Sequence, residues 1–288
     1  MIVDLIRGGM YRAGPVGSIA LEFVKALLQR SFALGTKCRL IPPEIEVRRR
    51  GVSYRLDVRD DIQQLILLNV YEAAEIDALS RFARPGSTCI DVGANVGFFA
   101  CNLAKIVGAE GRVFAFEPDA DNVRRLRANV RLNAYERIVD VSEVALGSTT
   151  GTSTFYKSSA SRSGWGSLVK YPDLDTDERS VRTETLDAFC ESRSIREIDL
   201  IKIDIEGFEF EFLAGATETF AAGRIRAVVI EFNGPRMTER GRTLDEMIAY
   251  FTVRGYDLRD ADRIATLGSV RATREVFNLI FVTSRRPS

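Results

Sequence analysis

Among its 288 residues the chain has no histidine. That absence excludes Ser-His-Asp and Cys-His catalysis, histidine metal sites and imidazole as a general base. Chemistry must fall to carboxylates, lysine, tyrosine, cysteine or a hard metal ion. Excess charge is also missing, because Lys plus Arg number 40 and Asp plus Glu number 40. A balanced chain has no global field to attract a polyanion, so no nucleic-acid partner is expected. No run approaches the roughly 18 apolar residues that span a bilayer, and no signal-peptide core opens the chain. The expectation is therefore no transmembrane segment and a cytoplasmic protein. Cysteine is sparse, and Cys38, Cys89, Cys101 and Cys190 lack metal-ligand spacing. They read as reduced, structural thiols. What remains is 45% hydrophobic and 28% charged, ordinary for a soluble globular protein, and long enough for one α/β domain.

Two parts are expected, residues 1–40 and 41–288. In the first, Val16, Ile19, Ala20, Phe23, Val24, Leu27 and Leu28 recur at helical spacing, and Gly35 is placed to end the helix. The apolar face of this amphipathic extension has three readings: packing on the main domain or on a second subunit as a homodimer arm, a lid over an acceptor site, or lying on a membrane surface. In the second part, Glu44 to Leu56 reads as two strands around Arg50-Gly51. Helices are predicted over Asp60 to Val70 and Glu72 to Phe82, ahead of the Pro85-Gly86 turn. Then strands TCIDV, RVFAFE and Ile138 to Val144 alternate with helices Phe98 to Ile106 and Ala120 to Asn133. After a polar stretch come helix Leu186 to Glu191, strand DLIKIDI, helix Phe208 to Ala214, strand AVVIEF, helix Leu244 to Arg254, and strands GYDLRD and VFNLIFVTS. Such alternation predicts a doubly wound α/β fold with a mostly parallel, seven-stranded sheet and an antiparallel edge. The clearest loop is SSASRSGWG, Ser158 to Gly166, which carries the sole tryptophan, Trp165.

The stretch CIDVGANVGFF, Cys89 to Phe99, places Asp91, Gly93, Asn95 and Gly97 as D-x-G-x-N-x-G at a strand end. A dinucleotide fingerprint would read G-x-G-x-x-G, with pyrophosphate against the backbone. Here a carboxylate stands where it would repel that group. A phosphate-free ligand with an ammonium or sulfonium centre suits it better, and S-adenosyl-L-methionine is such a ligand. Glu117, twenty residues past Gly97 at the end of the next strand, is placed to accept both ribose hydroxyls. Plainer roles remain open, a helix N-cap for Asp91 and a surface acid before Pro118 for Glu117.

With VSYRLDVRDDIQQLILLNVYE, CIDVGANVGFF, FEPDADNVRRLRANVRLN, TETLDAF, IDLIKIDIEGFEFEFLAGA and VVIEFN, the chain resembles the FkbM family of S-adenosylmethionine-dependent methyltransferases over roughly Glu44 to Thr283. The glycine motif is generic, whereas TETLDAF paired with IKIDIEGFE is specific. Asn69-Val70 before Tyr71-Glu72 departs from the glycine commoner there. The resemblance implies a class I methyltransferase sheet, Rossmann-like, and O-methylation of a hydroxyl on a sugar, lipid-linked glycan or polyketide-type molecule. It implies that Asp91, Gly93, Asn95 and Gly97 line the methionine end and that Glu117 holds the ribose. Glu143 to Leu146, with Glu143, Ala145 and Leu146 as candidates, would run along the adenine edge. Glu72 would reach the cofactor or else form a surface salt bridge.

Methyl transfer from a sulfonium is an in-line displacement, and an aliphatic hydroxyl needs a base or metal nearby. Strand alternation through IKIDIEGFE puts Lys202, Asp204 and Glu206 on one side and Ile201, Ile203 and Ile205 on the other. Charges on a strand buried on both faces are costly unless paired or functional. Lys202 therefore reads as the partner of Asp204 or Glu231, or as catalytic. Asp204 reads as base or ligand, and Glu206 as an acceptor-orienting group or a helix N-terminal acid. On the next strand Glu231 and Asn233 share a face, and with Asp204 they make an all-oxygen set of the kind Mg2+ prefers. The set is similar to that of catechol-type metal-dependent methyltransferases, although there the acid and asparagine are adjacent and here Phe232 intervenes. Carboxylate base catalysis and plain positioning stay open beside it. Two rival functions differ in signature. A nucleic-acid base N-methyltransferase would carry N/D-P-P-Y/F where this chain has IDIEG, and a non-catalytic adenosylmethionine-binding module would have no use for Asp204 and Glu231 together.

Overall fold

The computed structural model describes residues 30–32, 34–71, 73–158, 166–172, 175–259 and 275–283. Most of the Val16 to Phe32 helix, Glu72 and Trp165 with most of its loop lie outside the described residues. The chain is helical at 34–37, passing through Gly35, and the turn that ends it uses Arg39 at φ 57°. Gly35 is thus a helical residue and its carbonyl accepts the amides of Leu40 and Ile41.

In chain order the elements are β1 (Glu44–Arg49), β2 (Val52–Asp57), α1 (Asp61–Leu67), α2 (Ala73–Leu79), β3 (Thr88–Val92), α3 (Phe98–Val107), β4 (Arg112–Phe116), α4 (Ala120–Leu132) and β5 (Val139–Ser142). Then follow β6 (Ala145–Leu146), β7 (Gly151–Ser158), β8 (Gly166–Ser167), β9 (Thr176–Glu184), α5 (Leu186–Ser192), β10 (Ile198–Ile203), α6 (Glu209–Ala214) and α7 (Thr217–Ala221). The last are β11 (Ile225–Asn233), α8 (Gly234–Glu239), α9 (Leu244–Thr252), β12 (Tyr256–Leu258) and β13 (Val276–Thr283). Every helix and strand predicted from Glu44 onward is present, with ends shifted by a few residues.

Local chemistry accounts for several boundaries. The β1–β2 hairpin turns on Arg50 and Gly51, both at positive φ (51° and 83°), the pair of conformations that matches strand twist in a two-residue loop. Asp60 starts α1 by accepting the Gln63 amide at 2.9 Å. Thr243 and Glu246 close a reciprocal capping box on α9.

The seven-stranded sheet has the order β12-β13-β11-β10-β3-β4-β5. β11, β10, β3, β4 and β5 are parallel, and β13 runs antiparallel to both β11 and β12. Parallel strands are covered on both faces, so they read as near-continuous apolar runs. Alternate residues feed two cores, with Cys89, Leu200 and Val229 on the α3 face and Ile90, Ile201 and Val228 on the other. From β3 the chain winds outward through β4 and β5, then returns to place β10 on the opposite side. The resulting switch point between β3 and β10 opens a crevice at their carboxyl ends.

The stretch read as polar and irregular holds a second sheet, β6-β9-β7-β8. β7 and β9 pair antiparallel from Gly151↔Thr183 to Ser158↔Thr176. Their sequences, GTSTFYKS and TDERSVRTE, bury little besides Phe155, Ser158 and Thr183, so no strong apolar alternation marks them. The short helices α7 and α8 were likewise not legible.

Candidate active site

One wall of the crevice is the turn after β3. Gly93, Asn95 and Gly97 stand at φ 83°, 49° and 90°. The amides of Gly93 and Ala94 both donate to the Phe116 carbonyl, at 3.0 and 2.9 Å, tying the turn to β4. A Cβ on Gly93 would lie 1.9 Å from the Asp204 carbonyl oxygen, and one on Gly97 2.5 Å from Leu126 Cδ1. Gly93 is therefore dictated by the approach of β10, and Gly97 by the packing of α3 on α4.

Glu117 is wired into this turn. Its Oε2 accepts the Asn95 amide at 2.9 Å, and Oε1 accepts the Asp119 amide at 3.0 Å and Asn122 Nδ2 at 3.4 Å. Burial pushes its carboxyl up to about 7, and the two amides pull the other way. It is a buried acid in the floor of the cleft, not a surface acid before Pro118.

Gly93, Asn95, Glu117, Ala145 and Leu146 line a single cleft together with Lys202, Asp204, Glu206 and Glu231. The cleft is open to solvent on one side, as a site that must admit both a cofactor and an acceptor has to be. Val144, between two predicted residues, lines it too, as do Ile62, Ile66, Tyr71, Phe98 and Phe99. These apolar residues carry no chemical signal in the sequence, since each reads as ordinary core.

Other candidates stand elsewhere. Glu143 turns outward to Arg127 at 3.5 Å, with both side chains nearly half exposed. Gly97 does not reach the cleft wall. Asp91 lies beneath it, fully buried. Burial pushes its carboxyl up to about 6, against the pull of Lys202 and a weaker one from the Ala100 amide in the first turn of α3. Asp91 and Lys202 are register partners on β3 and β10.

The acids opposite come from two strand ends. Lys202, 1% exposed, places Nζ 2.8 Å from Asp204 Oδ2 and 4.1 Å from the Phe99 ring centroid. The lysine thus has the Asp204 partnership as a fact of geometry. Carboxylate oxygens of Asp204, Glu206 and Glu231 lie within 4.8 Å of one another. Glu206 does not arrive by strand alternation, because β10 ends at Ile203 and Glu206 sits in a turn at φ 53°. Asn233 does not offer its oxygen to the acids. Its Oδ1 caps α8 by accepting the Arg236 amide at 3.3 Å, and its Nδ2 donates to Glu206 Oε2 at 3.3 Å. The expected set of Asp204, Glu231 and Asn233 for Mg2+ is therefore not assembled, and Asp204 already has an ammonium against it.

The first wall fits S-adenosylmethionine. Glu117 lines the cleft with Oε2 accepting the Asn95 amide, and Asn95 Oδ1 is buried beside it without a hydrogen-bond partner. Glu117→Gln, which keeps the shape and loses the charge, is expected to weaken S-adenosylhomocysteine binding by about 1.5–3 kcal/mol. Unchanged affinity by calorimetry would remove Glu117 from the ribose site.

The chain is similar in sequence to known proteins. The family model of the methyltransferase FkbM domain matches residues 91–258. The hexuronic acid methyltransferase AglP of Haloferax volcanii is 28% identical over 177 residues, which cover 62% of this chain and 64% of that protein. The 2-O-methyltransferase NoeI of Sinorhizobium fredii is 26% identical over 174 residues, covering 56% of this chain and 69% of that one. The chain thus spans a little under two thirds of the first of these relatives. Among solved structures, the methyltransferase FkbM from Methylobacillus flagellatus aligns with 78% of this chain and 54% of its own at 16% identity and a TM-score of 0.44. With more than half its length matched by the family model, the chain belongs to the FkbM methyltransferase domain family.

Proposed function

We propose that the protein is an S-adenosylmethionine-dependent O-methyltransferase whose acceptor is a sugar hydroxyl, free or within a glycan. The observation that carries the reading is the convergence of Asp204, Glu206 and Glu231 on the cleft that Gly93, Asn95 and Glu117 share. Bound there, the cofactor supplies an electrophilic methyl group. The chain supplies alignment and a proton acceptor. Lys202 pairs with Asp204, and Glu206 and Glu231 bring two further carboxylates to the same space. A hydroxyl losing its proton during attack is served by a carboxylate placed there. AglP and NoeI, named for a hexuronic acid and for 2-O-methylation, support a sugar acceptor. Because the Lys202 ammonium lies against Asp204 and Asn233 turns its oxygen to α8, no step is assigned to a metal.

The experiment is methylation of a panel of hexuronic acid and neutral hexose glycosides with labelled cofactor, with and without EDTA. Alkali-stable methyl ether on a sugar, formed equally in chelator, is the expected product. Label that alkali releases as methanol would mean ester formation on a carboxyl and would overturn the hydroxyl reading. Loss of activity in EDTA, restored by Mg2+, would overturn the carboxylate-base reading.

A further inference from the structure

We propose that Glu209 is a positioning residue whose buried carboxylate folds the turn 204–207 and thereby delivers Glu206 to the acid cluster. The role of the cluster rests on the methyltransferase reading above, but the shape of the turn does not. Glu206 at φ 53° is followed by Gly207 at φ 91°. Outside a two-residue hairpin, a residue with a side chain at positive φ is uncommon and persists where its surroundings hold it. Here the surroundings do so from several directions. Glu209 Oε1 accepts the amides of Ile205 at 3.3 Å and Gly207 at 3.2 Å. The Glu206 carbonyl accepts Ser167 Oγ at 3.0 Å and the Tyr171 hydroxyl at 3.1 Å. Arg240 Nη1 donates to the Gly207 carbonyl.

Each of these contacts goes to the backbone of the turn, so together they fix where the Glu206 side chain begins. A Cβ on residue 207 would lie 1.9 Å from the Tyr171 oxygen, so the hydroxyl fills the space that glycine leaves. Among the anchors, Glu209 alone takes two amides of the turn at once. Glu209 is completely buried, and its Oε2 has no hydrogen-bond partner. One oxygen therefore holds the turn while the other accepts no hydrogen bond. A residue needed only to fill space at the start of α6 would be served as well by leucine. The carboxylate is explained by the two amides it collects.

The test compares Glu209→Leu with Glu209→Gln. Glutamine keeps the accepting oxygen and should hold the turn, at some loss of stability because its NH2 replaces the unbonded Oε2. Leucine keeps volume and loses the acceptor. Hydrogen exchange at the Ile205 and Gly207 amides should rise by about tenfold or more in Glu209→Leu and little in Glu209→Gln. This readout needs no acceptor, so it stands even if the sugar panel shows no turnover. If a panel acceptor is methylated, Glu209→Leu should cut kcat by about a hundredfold with S-adenosylhomocysteine affinity unchanged. In a Glu206→Gln background it should then add almost nothing, because both changes remove one interaction. Unchanged exchange in Glu209→Leu, or losses that multiply with those of Glu206→Gln, would overturn the proposal. If Glu209→Leu does not fold, exchange in the unaltered protein decides: Ile205 and Gly207 amides that exchange as fast as those of an exposed loop would overturn the proposal.

Discussion

Asp204→Asn is expected to slow methyl transfer by about a hundredfold to ten-thousandfold while leaving cofactor affinity within about twofold. The substitution preserves shape and removes one negative charge beside the place where a proton must leave. Asp204 forms no part of the Glu117 wall, so S-adenosylhomocysteine titration should be nearly unaffected. The same substitution also strips the buried Lys202 ammonium of its partner at 2.8 Å, so stability must be measured beside rate. A variant that methylates its acceptor at the wild-type rate would make Asp204 a structural counter-ion, and the proton acceptor would have to be Glu206 or Glu231.

Lys202→Met alone should destabilise the protein by about 3–5 kcal/mol, the usual cost of removing one partner from a buried ion pair. Methionine retains the stem that packs on Phe99. What it abandons is Asp204 on one side and, beneath, the fully buried Asp91. The pH dependence follows from Asp91, whose carboxyl is pushed up to about 6 from an ordinary value near ~3.9. The folded protein holds that proton more tightly than the unfolded chain does. Asp91 therefore detracts from stability progressively as pH rises from about 4 to about 6. Lys202 pulls that carboxyl downward, so its removal raises the folded value further and extends the loss to higher pH. Urea denaturation should show a smaller deficit for the variant at pH 5 than at pH 8. An equal deficit at both would mean that Lys202 does not stabilise the Asp91 carboxylate.

How far the sequence alone could be read depended on whether a signal was local. Apolar alternation and capping residues marked the central strands and helices, because each buries a continuous face or satisfies its own end groups. D-x-G-x-N-x-G and an acid at the next strand end located one wall of the cleft, because strand ends and tight turns impose residue types over a few positions. Lack of histidine confined the chemistry to acids and lysine before any geometry was known. Sheet order, the β7–β9 pair and the apolar wall from α1 and α3 were decided by contacts distant in the chain, where no single segment carries the pattern. The same holds at the residue level. Asn233 faces the right way along β11, yet its oxygen went to the first turn of α8. Asp91 ends the right strand, yet it sits under Lys202 and not in the cleft. Glu206 reached the cluster through a left-handed turn that strand periodicity cannot describe, held by Glu209, Ser167, Tyr171 and Arg240. Residue type and spacing determined which groups were available for chemistry. Tertiary packing decided which of them meet, because buried polar atoms take the nearest donor or acceptor the fold supplies.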